Sequence, residues 1–352
     1  MRKGVLACLG GGRLKNIGDY IQSIAARQFV GNDYVIVERE RLDRYDGGPT
    51  RVVMNAWFMK RPDRFPPSSD IVPLFLSFHV RPAIEDCFFT ARTVAYLKAH
   101  EPIGCRSTEA VEMMNRHGIL AEFSSCVTLT LGLSYRHETT LDAPIFVDPR
   151  FRRLPESGLF TVFPMLLRLC GRLPFLLAHL RTVRTLAGKF RCFAYWRGNR
   201  FAFIRWLYAA EFLWAYTPLF PEALLSGASY VTHKVLRENH PTEGALFAHA
   251  DQLLKRYARA PFVVTSRLHC ALPCIAMGTP CWTVMPEAKV DAGRFGGNDA
   301  FMNRILVGSD GRLVPPQGFD PAVPVPPVRE EHRPYAEAIV RRCRAFLQEG
   351  RT

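Results

Sequence analysis

Residues 261–286 read PFVVTSRLHCALPCIAMGTPCWTVMP. PFVVTSRLH has the β-branched character of a strand, CALPCIAMG is an apolar helix, and TPCWTVMP is a second strand. Gly278 fits the end of the helix, and Pro280 fits the start of the next extended segment. Strand, helix and strand in succession form the unit of a parallel sheet. Arg267 and His269 stand between the first strand and the helix. In an extended chain, residues two apart point to one face. Ligands of open α/β sheets bind outside the carboxyl ends of the strands. A guanidinium there can grip a carboxylate or phosphate with two parallel hydrogen bonds. A neighbouring imidazole can move a proton near neutral pH. A helix starting near Cys270 would turn free N–H groups toward the same place.

The same rhythm runs through the rest of the chain. GVLACLG reads as a strand, followed by the helix NIGDYIQSIAARQFV with Asn16 or Asp19 as its cap. YVIVERE, RVVMNAWFM and IVPLFLSFHV are strand-like, ARTVAYLKAH is helical, and EPIGCRS is a short strand and turn. STEAVEMMNRHGI is a helix from the cap Ser107 to the stop Gly118, and AEFSSCVTLTLG reads as a strand. After an Arg- and aromatic-rich helical stretch come the strand ASYVTHKV and the helix TEGALFAHADQLLKRYARA. REEHRPYAEAIVRRCRAFLQEG is a final amphipathic helix. The expected organisation is two α/β lobes, 1–151 and 226–314, facing each other across a cleft. A helical insert or linker spans 152–225, a Pro-rich linker 315–329, and a C-terminal helix 330–352.

A chain of 352 residues suits two domains. Hydrophobic residues make up 48% and charged residues 22%, a globular balance. The net charge of +14 favours anionic partners. No RNA-binding signature, helix-turn-helix or zinc-finger spacing is present, so nucleic acid is not an expected partner. The ten cysteines form no CxxC and no zinc spacing. They read as buried, reduced thiols of a cytoplasmic protein without a metal. MRKGVLACLGGG reads as a first buried strand and not as a secretory leader. The longest apolar stretch, 158–193, is interrupted by Arg168, Arg172, Arg181 and Arg184. Such a pattern suits helices lying on anionic lipid, or helices packed on the protein body with their arginines in water.

Other polar groups fall at strand ends. LGGGRLKNIGDYIQ lacks the spacing of a dinucleotide fingerprint and the GK[ST] of a P-loop, but sets Asn16, Asp19 and Gln22 at the top of the first lobe. Arg106 in GCRS precedes a helix start, where an anion could sit. SFHVRP offers His79, with Arg81, as a further candidate substrate contact.

Four stretches in order resemble the polysaccharide pyruvyl transferase family. They are KNIGDYIQSIA, IGCRSTEAVEMMNRHGILAEFSSCVTLTL, SYVTHKV with its following helix and RYARAPFVVTSRLHCALPCIAMGTPCW, and the AGRFGG turn. The resemblance implies two Rossmann-like lobes in a GT-B-like arrangement. It implies transfer of pyruvate from phosphoenolpyruvate to a sugar of a glycan or glycolipid, closing a ketal and releasing phosphate. The donor is a substrate, and no cofactor is implied. By the same resemblance Arg267 binds phosphoenolpyruvate with the backbone of Leu268 alongside, and His269 is the general acid. Arg106 is a second anion contact, and Asp19 and Asn16 orient or deprotonate the acceptor. Several members act on lipid-linked or polymeric glycans at the inner face of the membrane. The insert at 152–225, outside the resemblance, would bring this chain to such a substrate on an anionic membrane. The competing readings are a GT-B glycosyltransferase using a nucleotide sugar, and a non-catalytic membrane-associated scaffold in glycan assembly.

Overall fold

The computed structural model describes residues 1–10, 12–150, 159–195, 197–286 and 295–348. The first half runs β1 (Arg2–Ala7), β2 (Leu14–Asn16), α1 (Ile17–Arg27), β3 (Val35–Glu38), β4 (Thr50–Val53), β5 (Trp57–Phe58), β6 (Ile71–Leu74) and β7 (His79–Val80). It continues with α2 (Glu85–Phe88), α3 (Ala91–Lys98), β8 (Ile103–Cys105), α4 (Thr108–Arg116) and β9 (Ala121–Phe123). The second half opens with β10 (Ile145–Val147), then a helical stretch of α5 (Leu159–Cys170), α6 (Leu173–Ala178), α7 (Leu180–Lys189), α8 (Ala202–Tyr216) and α9 (Glu222–Gly227). β11 (Ser229–Val231), β12 (Lys234–Leu236), α10 (Glu243–Arg259), β13 (Val263–Thr265) and α11 (Leu268–Met277) follow. The chain ends with β14 (Cys281–Pro286), β15 (Asn303–Val307), β16 (Leu313–Val314) and α12 (Arg333–Gln348).

The fold is mixed α/β, with two main sheets. The first has the order β3-β1-β4-β6, every pair parallel. The second has the order β11-β10-β13-β14-β15-β16, parallel except for the last pair. Both place their second strand beside the first on one side and their third beside it on the other. In a parallel sheet so ordered, the connections leave in opposite directions and a crevice opens at the carboxyl ends of the first and third strands. Those pairs are β1 and β4 in one sheet, and β10 and β13 in the other. β10 lies within the first 151 residues but belongs to the second sheet.

The sheets share a core. Val5 and Ile21 from the first half pack in one cluster with Ile145, Val263 and Cys270 from the second. α1 packs on both α10 and α11, and β2 pairs with β12 in an antiparallel ribbon between the halves. α12 returns to the first half, burying Ile339, Cys343 and Leu347 and pairing Arg342 with Glu122. A separate aromatic core of Phe146, Phe212, Tyr216, Phe220 and Tyr230 joins α8 to the other face of the second sheet. All ten cysteines are unpaired, and six are buried. Among the described residues no helix is long and apolar enough to cross a membrane.

Several segments depart from the sequence expectation. AEFSSCVTLTLG is a strand only through Phe123; Ser125 adopts φ +60°, and Val127–Leu133 winds into a buried 3-10 helix. Its alternating hydroxyls do not face solvent as they would along an exposed sheet. Thr130 instead bonds the Val127 carbonyl at 2.7 Å, and the turn packs between α1 and α11. RVVMNAWFM and IVPLFLSFHV each divide into two short strands.

Candidate functional site

The opening junction is built differently from an extended strand end. β13 stops at Thr265, whose hydroxyl accepts the Arg267 N–H at 3.0 Å and turns the chain. Arg267 becomes the N-cap of α11, its carbonyl accepting from Cys270 and Ala271 at 3.0 and 2.9 Å. Helical pairing in α11 opens at Leu268, and regular helical geometry runs from Cys270, where the sequence predicts it. His269 sits in its first turn with φ −81° and ψ 19°, so Arg267 and His269 do not share a strand face.

Arg267 Nε donates to Asp148 Oδ2 at 2.7 Å. Asp148 follows β10, so this ion pair spans the carboxyl ends of the second sheet's first and third strands. The carboxylate also accepts from the Thr232 hydroxyl at 2.6 Å and the His233 N–H at 3.0 Å. Burial pushes its pKa up, but Arg267, His233 and these hydrogen bonds outweigh burial and hold it below its ordinary value. The pair is a fixed, ionised brace for α11.

His269 faces the first turn of α1. A Cβ on Gly18 would lie 3.0 Å from His269 Nδ1, so glycine lets the imidazole rest against the helix start. Arg106 Nη1 is 3.5 Å from His269 Nε2. Arg106 is only 4% exposed. No carboxylate pairs with it among the described residues, and its Nε has no hydrogen-bond partner there. Burial lowers its pKa, with Cys126 and Asp19 opposing. The backbone behind it is fixed: its N–H donates to the Phe78 carbonyl at 2.9 Å, and its own carbonyl accepts from Asn298 at 2.8 Å. A buried guanidinium, an imidazole and the starts of α1 and α11 thus converge. This is an arrangement for binding an anion and moving a proton beside it.

A small cavity adjoins the cluster at the carboxyl ends of β1 and β4. Cys8, Asp19, Gln22, Ser23, Arg39 and Asn55 line it. Arg39 lies 3.8 Å from Asp19 and 3.0 Å from Glu40. Burial works against the Arg39 cation, but Asp19 and its other neighbours prevail and raise its pKa. Gln22 Oε1 and Asn55 Oδ1 are buried acceptors with no donor among the described residues.

The sequence candidates therefore divide. Arg106, His269 and the α1 start meet directly, and Asp19 is near enough for its charge to act on Arg106. Asn16 is the N-cap of α1, accepting from Gly18 N–H at 3.4 Å. Leu268 is fully buried, at the α11 start. His79 is one step removed, with Nδ1 3.5 Å from the hydroxyl of Ser107. The first half of the AGRFGG turn lies outside the described residues. Asp148 and Arg39 were not read from the sequence. The available signal was an acid directly after the apolar run IFV, and an arginine directly after VIVE. Among the described residues, no cluster of three or more His, Cys, Asp or Glu side chains is arranged to hold a metal.

The polysaccharide pyruvyl transferase family matches residues 16–286, which include α1, Arg106, Asp148, Arg267 and His269. No curated protein and no solved structure matches the chain. The match covers more than three quarters of the sequence, and the chain belongs to the polysaccharide pyruvyl transferase family.

Proposed function

We propose that the chain transfers pyruvate from phosphoenolpyruvate to two hydroxyls of a sugar, forming a ketal and releasing phosphate. The observation that carries this reading is Arg106, a buried cation that no carboxylate pairs with among the described residues, 3.5 Å from His269. An uncompensated buried charge is costly, so such a site is built for an incoming anion. Phosphoenolpyruvate brings two anionic groups. Arg106, Arg267 and the N–H groups opening α11 share them. His269 protonates the methylene carbon, and a sugar hydroxyl bonds to the central carbon. The second hydroxyl bonds to the same carbon as the C–O bond to phosphate breaks. Of the two hydroxyl protons, one replaces the proton delivered by His269 and the other leaves with phosphate. Asp19, beside the cluster, takes the first hydroxyl proton on its way back to His269.

The two strand orders support a reading as two Rossmann-like lobes in the GT-B manner, donor on the second sheet and acceptor on the first. The unpaired cysteines agree with a reducing, cytoplasmic setting. The acceptor is a sugar of a glycan or glycolipid.

The test is thermal unfolding of wild type and Arg106→Gln with phosphoenolpyruvate, UDP or GDP. Ligand at about a hundred times its Kd adds about 2.7 kcal/mol of stability. Phosphoenolpyruvate should raise the wild-type Tm and leave the variant unmoved. A shift with a nucleotide and none with phosphoenolpyruvate would assign the chain to nucleotide-sugar chemistry.

A further inference from the structure

The helices from α5 to the start of α8 carry a surface that pyruvyl transfer does not use. Between residues 157 and 210 there are nine Lys or Arg and no Asp or Glu, so this segment holds most of the net charge of +14. Its inner side is well anchored. Leu169, Leu176, Val183, Leu186 and Phe190 are buried, Arg168 bonds Glu211 at 2.7 Å, and Arg172 lies over the Trp214 ring at 4.4 Å. His179 and Thr182 both bond Glu222, fixing α7 to α9.

The outer side is apolar where solvent would favour polar groups. Phe163, Leu167, Leu173, Leu177, Leu180, Phe201 and Phe203 are each between 50% and 66% exposed. Phe163 and Leu167 are one turn apart on α5, and Leu173, Leu177 and Leu180 repeat at helical spacing through α6 into α7. Exposed Arg181 and Arg184 continue that stripe, and the guanidinium of Arg200 lies over Phe201 at 4.7 Å. Single exposed apolar residues need no explanation, but aligned stripes rimmed by cations do.

We propose that this face docks on an anionic lipid bilayer. The leucine and phenylalanine side chains enter the interface, and the arginines meet headgroup phosphates. Charge sets the choice of occupant: a segment with nine cations and no acids opposes a second copy of itself and suits an acidic surface. Through Tyr195, between α7 and α8, the same segment reaches the site. Lys234 lies over the Tyr195 ring at 4.9 Å, and Asp148 and Arg267 are near enough for their charges to act on the Tyr195 phenol. The docking rests on the exposed face alone and does not depend on the pyruvyl-transfer reading.

The experiment is co-sedimentation of the full chain with phosphatidylcholine vesicles and with equimolar phosphatidylcholine–phosphatidylglycerol vesicles. Wild type should bind the acidic vesicles at least about tenfold more tightly, and added salt should weaken binding. Leu167→Gln/Leu177→Gln/Phe203→Gln and Arg181→Gln/Arg184→Gln should each lose that binding. Both should keep the wild-type Tm and whatever shift phosphoenolpyruvate gives, which separates docking from chemistry. Equal binding of wild type and the triple variant to acidic vesicles would overturn the proposal. So would a lipid-free wild-type dimer that the triple variant dissociates, since a second copy would then cover the face.

Discussion

Burying a guanidinium without a carboxylate costs several kcal/mol unless something compensates it. Arg106 accepts that cost next to His269, and the two side chains have separable tasks: one holds charge, the other moves a proton. His269→Gln keeps a polar side chain at the α11 start. It should retain the phosphoenolpyruvate-induced rise in Tm, while phosphate release falls by about 10²–10⁴-fold. Activity within about tenfold of wild type would assign the proton to another group. Both residues were legible in the sequence because each ionisable group interrupts apolar runs at a strand–helix junction. Asp148 was not. An Asp before Pro149 reads locally as a turn residue, and only the pairing of β10 with β13 sets it against Arg267. Arg39, inside the charged run ERERLDR, reads as surface for the same reason, yet it is buried over Trp57 with its guanidinium 5.2 Å from the ring centroid.

At the scale of elements, α11 is the part that must be held in place. The 3-10 turn Val127–Leu133 lies along it so closely that a Cβ on Gly132 would come within 2.2 Å of the Ala276 carbonyl oxygen. Gly132→Ala should therefore cost about 1–3 kcal/mol through overpacking. It should also weaken phosphoenolpyruvate binding, because α11 carries Arg267 and His269. Gly188, in α7, has nothing within 4 Å of where its Cβ would sit. Gly188→Ala should stabilise by about 0.5–1 kcal/mol and leave ligand binding alone. Denaturant unfolding with and without phosphoenolpyruvate reads both, and equal effects at the two glycines would mean that the contact with α11 is loose. The alternating helices and strands were legible from periodicity. This turn was not, since CVTLTLG has the β-branched alternation of a strand and only its burial against α1 and α11 decides otherwise.

Across the whole molecule, one of three core clusters spans both sheets, taking side chains from β1, α1, β10, α10, β13, α11 and α12. Heat should unfold the described body in one cooperative transition, so a local electrostatic change registers in a single Tm. The Asp148–Arg267 brace gives that transition a definite pH dependence. The Asp148 pKa is held below its ordinary 3.8 in the folded state. Its stabilisation is thus fully present above 3.8 and is lost as pH falls through the lower, folded-state value. Asp148→Asn removes the charge and leaves Arg267 unpaired, at a cost of about 3 kcal/mol near neutral pH. The Tm gap between wild type and Asp148→Asn should stay level down to pH 3.8 and narrow below it, as wild type loses the ionised brace while the variant has none to lose. Calorimetry on both proteins across the acid range measures that gap directly. A gap that persists undiminished well below 3.8 would show that the pair is not what ties β10 to β13. Two separate heat absorption peaks would show that the shared core does not couple the sheets.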